Sequence, residues 1–232
     1  MARPRVALVI PTLDEAETIA SVIGEIPVSA VDEIVVVDGG SHDGTAAIAR
    51  AAGARVIDLD ARGYGRACRA GAEAAADCDI VAFIDGDGSD YPELLPQLVS
   101  PIAEGRFDFV IGSRTRGNRE RGSMGMHQVA AGWVIGAGVR MLYGISYTDM
   151  GPFRGIRRDA LLRLGMREET YGWNLEMQMR AARAGLRILE IPVPHRRRAG
   201  GASKVAGNLR GSIKASSRII TAFLRIAAEA RG

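Results

Sequence analysis

The sequence predicts an α/β domain built on a doubly wound, mostly parallel sheet with helices on both faces. Short apolar runs, which are typical of buried strands, alternate with longer helical segments from Val6 to Pro192. The connections between these segments are short, and such an order folds into a parallel sheet with right-handed crossovers. The chain of 232 residues is long enough for one domain of this kind, and no second folded domain is needed.

The strands are predicted from apolar runs that end in glycine, proline or acidic residues. They cover residues 6–10, 34–37, 55–59, 80–84, 107–111 and 186–192, with a further short strand within residues 148–157. The first helix is predicted from Thr12 and Glu15, which have the spacing of a capping box, and should run to about Glu25. Later helices are predicted at residues 46–52, from 63 onward, 92–103, 125–143, 158–164, 171–185 and 205–228.

The strongest functional signal lies in residues 79–93, where an apolar strand ends in Asp85, Asp87 and Asp90. Two carboxylates separated by one glycine, at the carboxyl end of a central strand, lie where such sheets bind ligands. They can share a divalent cation, whose remaining ligands are phosphate oxygens and water. Asp-Gly pairs also form ordinary turns, but that alternative explains one pair better than two pairs beside a third acid.

Three further loops follow predicted strands and are suited to anionic ligands. Residues 38–45 form a glycine-rich turn that lets the backbone approach a ligand, with Asp38 as an acceptor at the strand tip. The loop of residues 112–124 carries four arginines and is either simply solvated or able to close over a phosphorylated substrate. Residues 195–204 form a basic, glycine-containing loop suited to gripping a pyrophosphate.

Composition excludes several classes of protein. The net charge is only +3, but residues 191–228 contain many Lys and Arg and no acid, which indicates an anionic partner. A nucleic acid is disfavoured as this partner because the stretch has almost no aromatic residues for base stacking. No segment is apolar enough to span a membrane, and no apolar leader precedes the first strand. The expected location is the cytoplasm, with peripheral contact with the inner face of the cell membrane left open.

Seven motifs occur in a fixed order along the chain: Val-Ile-Pro-Thr-Leu-Asp-Glu15, Val-Asp-Gly-Gly-Ser-His-Asp-Gly-Thr45, Asp-Gly-Asp87, Gly-Ser-Arg114, Asp149 before Gly-Pro-Phe-Arg, Glu176, and Arg198 with Gly-Ala-Ser-Lys204. In this order they resemble family 2 glycosyltransferases, most of all the branch of dolichyl-phosphate mannosyltransferase and other polyprenyl-phosphate glycosyltransferases. The resemblance covers almost the whole chain. It implies a GT-A fold, a nucleotide-sugar donor and Mg²⁺ or Mn²⁺.

The resemblance also implies roles for individual residues. The nucleoside is assigned to Pro11, Leu13, Glu15 and Asp38, the ribose or metal to Asp85, the metal to Asp87, the donor-binding turn to Gly86, and the diphosphate to Arg198 and Lys204. The acceptor phosphate is assigned, from its charge, to the basic loop of residues 112–124 with Arg114, and Asp149 and Glu176 are the acids near the matching motifs that could act as a catalytic base. The alternatives are a turn acid for Asp149 and a helix-surface or capping acid for Glu176. Leu13 replaces the family's usual aromatic residue, which leaves the choice between uridine and guanosine open.

The leading interpretation is an inverting hexosyltransferase that uses a GDP-mannose or UDP-glucose type of donor and a polyprenyl or dolichyl phosphate acceptor. The first alternative keeps the donor and replaces the acceptor with a soluble hydroxyl compound, such as a glycan or a natural product. The second, a non-catalytic binder of an anionic membrane or nucleic acid, leaves the carboxylate cluster without a role. Residues 1–204 are assigned to the catalytic domain, and residues 205–232 to an amphipathic basic helix packed on the domain or on a membrane surface.

Overall fold

The structure is a computed structural model that describes residues 3–200 and 209–229, with the backbone alone for residues 126–128 and 209–218. The strands of its sheet are β1 Val6–Thr12, β2 Glu33–Asp38, β3 Arg55–Asp58, β4 Ile80–Phe83, β5 Phe109–Ser113, β6 Arg154–Arg157 and β7 Ile188–Pro192. Their order is β3-β2-β1-β4-β6-β5-β7. Only β6 is antiparallel to its neighbours among these strands, so the predicted mostly parallel sheet is confirmed.

The helices are α1 Ile19–Gly24, α2 Thr45–Ala51, α3 Tyr64–Ala74, α4 Leu95–Ala103, α5 Met126–Tyr143, α6 Arg158–Leu164, α7 Trp173–Arg183 and α8 Leu209–Glu229. They cover both faces of the sheet and form a core on each. Val9 of β1 belongs to the core that contains Trp173, whereas the next residue along, Ile10, belongs to the core that contains Leu95 and Leu98. Because successive residues of a strand point to opposite faces, a strand buried on both faces is apolar throughout, as β1 is.

The helix predicted to begin at the capping box of Thr12 and Glu15 begins later, so that prediction is wrong. Thr12 is the last residue of β1, where it pairs with Asp38, and α1 begins only at Ile19. The backbone N–H of Glu15 donates to the hydroxyl of Thr45, 2.8 Å away, and not to Thr12. The capping box therefore does not form, because Glu15 is hydrogen-bonded instead to a loop that lies thirty residues further along the chain.

The C-terminal helix belongs to the same core as the rest of the protein. Ala222 and Ile226 of α8 are buried in the core cluster that contains Trp173. The predicted domain boundary between residues 204 and 205 lies outside the described residues, so the division at that point stays a prediction. No helix within residues 3–200 and 209–229 combines the length and the apolarity needed to cross a membrane.

The topology brings the predicted functional segments to one edge of the sheet. The carboxyl ends of β1, β2, β4, β5 and β7 share this edge because these strands all run in the same direction. The antiparallel strand β6 starts there, so the segment that precedes it, with Asp149, reaches the same edge. Ligands of open α/β sheets bind at such an edge.

Candidate active site

The acidic turn follows β4 at the centre of the sheet. Asp87 is partly exposed; its Oδ1 accepts a hydrogen bond from the backbone N–H of Ser89 at 2.9 Å, and its Oδ2 lies 3.4 Å from Nε of Arg198. Gly86 lets the turn pack closely on β1, because a Cβ there would lie 2.9 Å from Cγ2 of Thr12. A larger residue at this position would press on Thr12 and Ile10 of β1.

Asp85 has the electrostatic properties of a cation ligand. The pKa of its carboxyl group is raised to about 8, first by burial and then by the nearby carboxylates of Asp87 and Asp90, against the opposing effects of Tyr64 and Arg114. Its Oδ1 is buried, and among the described residues it has no hydrogen-bond partner. A divalent cation would replace the proton on this group and relieve the repulsion among the three acids.

The donor set fits a hard cation that shares its shell with a substrate. Carboxylate oxygens such as those of Asp85 and Asp87 are the ligands that Mg²⁺ and Mn²⁺ prefer. Within the described part of the chain, no group of three or more His, Cys, Asp or Glu side chains is arranged to hold a metal ion by itself. Diphosphate oxygens and water would have to complete the coordination, as is usual for Mg²⁺ beside phosphate groups.

We expect the affinity for Mn²⁺ to rise about tenfold per pH unit from about pH 6 to about pH 8, and then to level off. Below its pKa of about 8, the carboxyl group of Asp85 carries a proton that the cation must displace, so raising the pH removes this competitor. Calorimetry in two buffers of different ionisation enthalpy would count the released proton. In Asp85→Asn the pH dependence should disappear, and an affinity that is flat across this range in the unmodified protein would contradict the assignment.

The residues predicted to contact the nucleoside lie together at the ends of β1 and β2. Pro11 is buried and Leu13 half-buried. Asp38 is also buried, and its carboxylate accepts hydrogen bonds from the backbone N–H of Ser41 at 2.8 Å and from the hydroxyl groups of Ser41 and Thr12. In this arrangement Asp38 shapes the wall of the site, and its contact with a base stays a prediction.

Hydrogen bonds join the loop after β1 to the loop after β2. The pairs are Asp14 N to Ser41 Oγ, Glu15 N to Thr45 Oγ1, Ala16 N to Asp43 Oδ2, and His42 N to Asp14 Oδ1, all between 2.8 and 3.0 Å. Asp14 has a φ of 52°, in the left-handed region that non-glycine residues seldom adopt. The two loops therefore form one continuous wall beside the acidic turn.

The basic loop predicted to grip the diphosphate lies directly on the acidic turn. The backbone N–H groups of Arg196 and Ala199 donate to the carbonyl oxygens of Ser89 and Asp87, at 3.0 and 3.1 Å. The guanidinium of Arg198 lies between two acids, with Nη2 2.5 Å from Glu15 Oε1 and Nε 3.4 Å from Asp87 Oδ2. Arg198 is thus placed beside the predicted metal ligands, whereas Lys204 lies outside the described residues.

The sequence analysis missed a buried pair that links these two segments. His195 and Asp90 are 5% and 2% exposed, and His195 Nδ1 lies 3.5 Å from Asp90 Oδ1. Neither that nitrogen nor either Asp90 oxygen has a hydrogen bond among the described residues. The only sequence signals were a third acid in the turn and a histidine at the start of the basic loop.

Arg114 and Asp149 form a bidentate ion pair at the carboxyl edge. Arg114 Nε lies 2.7 Å from Asp149 Oδ2 and Nη2 lies 2.9 Å from Oδ1, while the backbone N–H groups of Arg114 and Met150 donate to the same carboxylate. Burial alone would raise the pKa of Asp149, but the charge and hydrogen bonds of Arg114 outweigh it and lower the pKa below its usual value. A carboxylate with this pKa and four donors is poorly suited to accept a proton.

Glu176 is fully buried in the first turn of α7, and its carboxylate is also occupied. Its Oε2 accepts hydrogen bonds from the backbone N–H groups of Arg167 and Glu168, at 2.9 and 2.6 Å, and its Oε1 pairs with Arg180 at 2.9 Å. These contacts fix the connection between α6 and α7. The geometry favours the structural alternative for both Asp149 and Glu176, and their catalytic assignment stays a prediction.

The comparison with known protein families matches residues 7–165, more than half of the chain, to the model described as "Glycosyl transferase family 2". The chain belongs to glycosyl transferase family 2. This family 2 enzyme is 40% identical over 220 residues to an uncharacterized glycosyltransferase of Mycobacterium tuberculosis (strain ATCC 25618 / H37Rv), covering 92% of this chain and 95% of that protein. It is 32% identical over 221 residues to the undecaprenyl-phosphate mannosyltransferase of Micrococcus luteus, covering 89% of this chain and 90% of that protein.

A solved structure similar to this family 2 glycosyltransferase is glucosyl-3-phosphoglycerate synthase from M. tuberculosis in complex with Mn²⁺, UDP-glucose and phosphoglyceric acid. The TM-score is 0.78 at 26% identity, over 97% of this chain and 80% of that chain. The predicted GT-A fold and enzyme class are confirmed. The names of two of these proteins indicate different acceptors, undecaprenyl phosphate for one and a phosphoglycerate for the other.

Proposed function

We propose that this family 2 glycosyltransferase transfers a hexose from a nucleoside diphosphate sugar to a polyprenyl phosphate, with inversion at the anomeric carbon. The donor is of the GDP-mannose or UDP-glucose type, and Mg²⁺ or Mn²⁺ is held by Asp85 and Asp87. The observation that carries the proposal is the bidentate pair of Arg114 and Asp149, which offers a fixed cation to the acceptor and leaves the carboxylate no role as a base.

The donor half rests on the charges around the acidic turn. A divalent cation supplies positive charge to the departing diphosphate when it is bound. Arg198 lies 3.4 Å from Asp87 and is therefore placed to share the same phosphate oxygens. Groups fixed in this way stabilise the charge that develops on the leaving group without having to reorganise. Lys204 is assigned to the same diphosphate by resemblance alone.

The acceptor half follows from the protonation chemistry. A hydroxyl acceptor must lose a proton to a positioned base, but the carboxylates of Asp149 and Glu176 are engaged with arginines and backbone N–H groups. A phosphate acceptor is already anionic at neutral pH, so one of its oxygens can attack the anomeric carbon directly. The new carbon–oxygen bond forms as the bond to the nucleoside diphosphate breaks, and Arg114 holds the attacking phosphate.

The second candidate has the same donor and a soluble hydroxyl acceptor. It is supported by the similarity to a synthase solved with phosphoglyceric acid. In that reaction the attacking hydroxyl group would need a base. Either a group other than Asp149 and Glu176 would serve, or one of these two carboxylates would have to leave its present hydrogen-bond partners.

The test is a transfer assay with matched acceptors. Purified full-length enzyme would be incubated with GDP-mannose or UDP-glucose, Mg²⁺ or Mn²⁺, and one of three acceptors: a short-chain polyprenyl phosphate, the corresponding polyprenol, or 3-phosphoglycerate. We expect product only with the polyprenyl phosphate, because its phosphate can attack without losing a proton to a base. The polyprenol is the matched acceptor, since it differs by the phosphate alone. Comparable turnover with 3-phosphoglycerate or with the polyprenol would overturn the proposed acceptor.

A further inference from the structure

Helix α5 turns an apolar face toward solvent. Trp133, Val134 and Met141 are 75%, 64% and 83% exposed, and they recur with Ala137 at the spacing of one helical face. Arg140 is the only charged residue in the whole helix. A surface helix of a globular protein normally places polar residues on its outward face, so this face is arranged for contact with something other than water.

The opposite face of α5 is fixed against the protein by small residues. A Cβ atom at Gly136 would collide with the backbone oxygen of Tyr147, so only glycine permits this close approach. Val139 is buried on the same side. The helix therefore cannot rotate to hide Trp133 without losing these contacts, and the exposure of the apolar face follows from how α5 is packed.

The apolar surface continues onto α8 and into a pocket. Phe223 of α8 packs on Gly138 of α5, and the neighbouring Ile220 and Leu224 are 57% and 62% exposed. On the other side, Trp133 and Val134 line an open pocket of about 780 Å³ with the arginine-rich loop, including Arg119 and Arg121. An apolar helix face thus borders a cationic loop that begins at Arg114.

We propose that α5, together with Ile220 and Leu224 of α8, docks this enzyme on the surface of an anionic lipid bilayer. The inference deepens the proposed function, on which it rests, since a bilayer is where a polyprenyl phosphate is held. The proposed contact is that of a helix lying in the plane of the interface, with its apolar face toward the lipid. An exposed tryptophan among aliphatic residues, flanked by arginines, is the composition that favours the bilayer interface.

Charge distinguishes a bilayer from a second copy of this chain. Arg119, Arg121 and Arg140 are exposed around the apolar face, and residues 191–228 contain no acid. Glu120, an acid that lines the pocket, accepts a hydrogen bond from the backbone N–H of Arg197. In a symmetric dimer this cationic rim would face its own copy, which is unfavourable, whereas anionic headgroups attract it.

The test is binding to vesicles of phosphatidylcholine alone or with about one third phosphatidylglycerol. Wild-type enzyme should sediment with the anionic vesicles only. It should also show a blue shift of tryptophan fluorescence, which reports Trp133 because Trp173, the other tryptophan, is already buried. The double variant Trp133→Gln, Met141→Gln should bind the anionic vesicles more weakly by a factor of at least about ten. Leu162→Gln is the matched control, since Leu162 is 55% exposed on α6, outside this surface.

Sedimentation needs neither donor nor acceptor, so its result is independent of the proposed transfer reaction. Anionic vesicle binding in an enzyme that ignores polyprenyl phosphate would leave the docking surface standing and remove the proposed acceptor. The docking surface would be overturned if the wild-type enzyme did not bind the anionic vesicles. It would also be overturned if the double variant had an unchanged melting temperature and bound them as well as the wild type. Light scattering that shows a dimer, lost only in the double variant, together with no vesicle binding, would assign the surface to a second copy.

Discussion

Asp87→Ala should abolish metal-dependent donor binding and lower the rate of transfer by about 10³-fold or more. The side chain of Asp87 is 18% exposed, and its polar partners among the described residues are the Ser89 backbone and Arg198, so its removal disturbs the site and not the core. Titration calorimetry with the nucleotide sugar, with and without Mn²⁺, measures the binding, and a single-turnover assay measures the transfer. The melting temperature without ligand should change little.

Asp60→Ala is the matched control for this variant. Asp60 is an exposed acid two residues beyond β3, on the same edge of the sheet but at its margin. Removing the Asp60 carboxylate should leave donor binding unchanged. That result would show that donor binding does not weaken merely because the protein has one negative charge fewer. Near-normal Mn²⁺-dependent donor binding in Asp87→Ala would show that the metal site has been placed on the wrong residue.

Asp149→Asn should destabilise the protein by about 3 kcal/mol and raise the apparent KM for the acceptor. The substitution leaves Arg114 largely buried and without its carboxylate, and removing one partner of such a pair leaves an uncompensated charge. The freed guanidinium then no longer has the bidentate geometry that holds it at the acceptor. Chemical denaturation measures the first effect, and steady-state kinetics with varied acceptor measures the second.

Glu176→Gln separates structural from catalytic losses. Its carboxylate holds the connection between α6 and α7, so the variant should lose stability while the acceptor KM stays unchanged. A general base is typically worth about 10² to 10⁴ in rate. A fall of that size in kcat for either variant, with donor affinity and acceptor KM unchanged, would identify a base and point to a hydroxyl acceptor.

The sequence predicted the sheet and its acidic turn because both depend on local patterns. A strand that is buried on both faces is apolar along its whole length, so apolar runs that end at glycine indicate the strands. Asp85 and Asp87 directly follow such a run. The capping pattern of Thr12 and Glu15 is equally local, yet it failed because Thr45 offered the Glu15 N–H a better partner. A local signature cannot reveal a competitor from another loop.

The burial of polar residues could not be predicted from the sequence either, because it depends on partners from other parts of the fold. Arg154 is fully buried, its guanidinium donates to the carbonyl oxygens of Gly151 and Asn174, and it lies 5.9 Å from the centre of the Phe109 ring. A basic residue in a sequence is normally placed at the surface unless it has a paired acid. One of its partners, Gly151, lies three residues earlier in the chain, but the other, Asn174, lies on α7 and reaches the guanidinium only in the folded protein.

The wall formed by the two loops after β1 and β2 contains the residues to which the nucleoside is assigned by prediction. Its hydrogen bonds join backbone N–H groups to Ser41, Asp43, Thr45 and Asp14, so the wall does not reshape around whichever base arrives. A preformed surface binds the matching base at a small entropic cost, and it rejects a mismatched base by leaving polar groups unpaired. Under the proposed nucleoside assignment, discrimination between pyrimidine and purine would be a property of the unliganded fold.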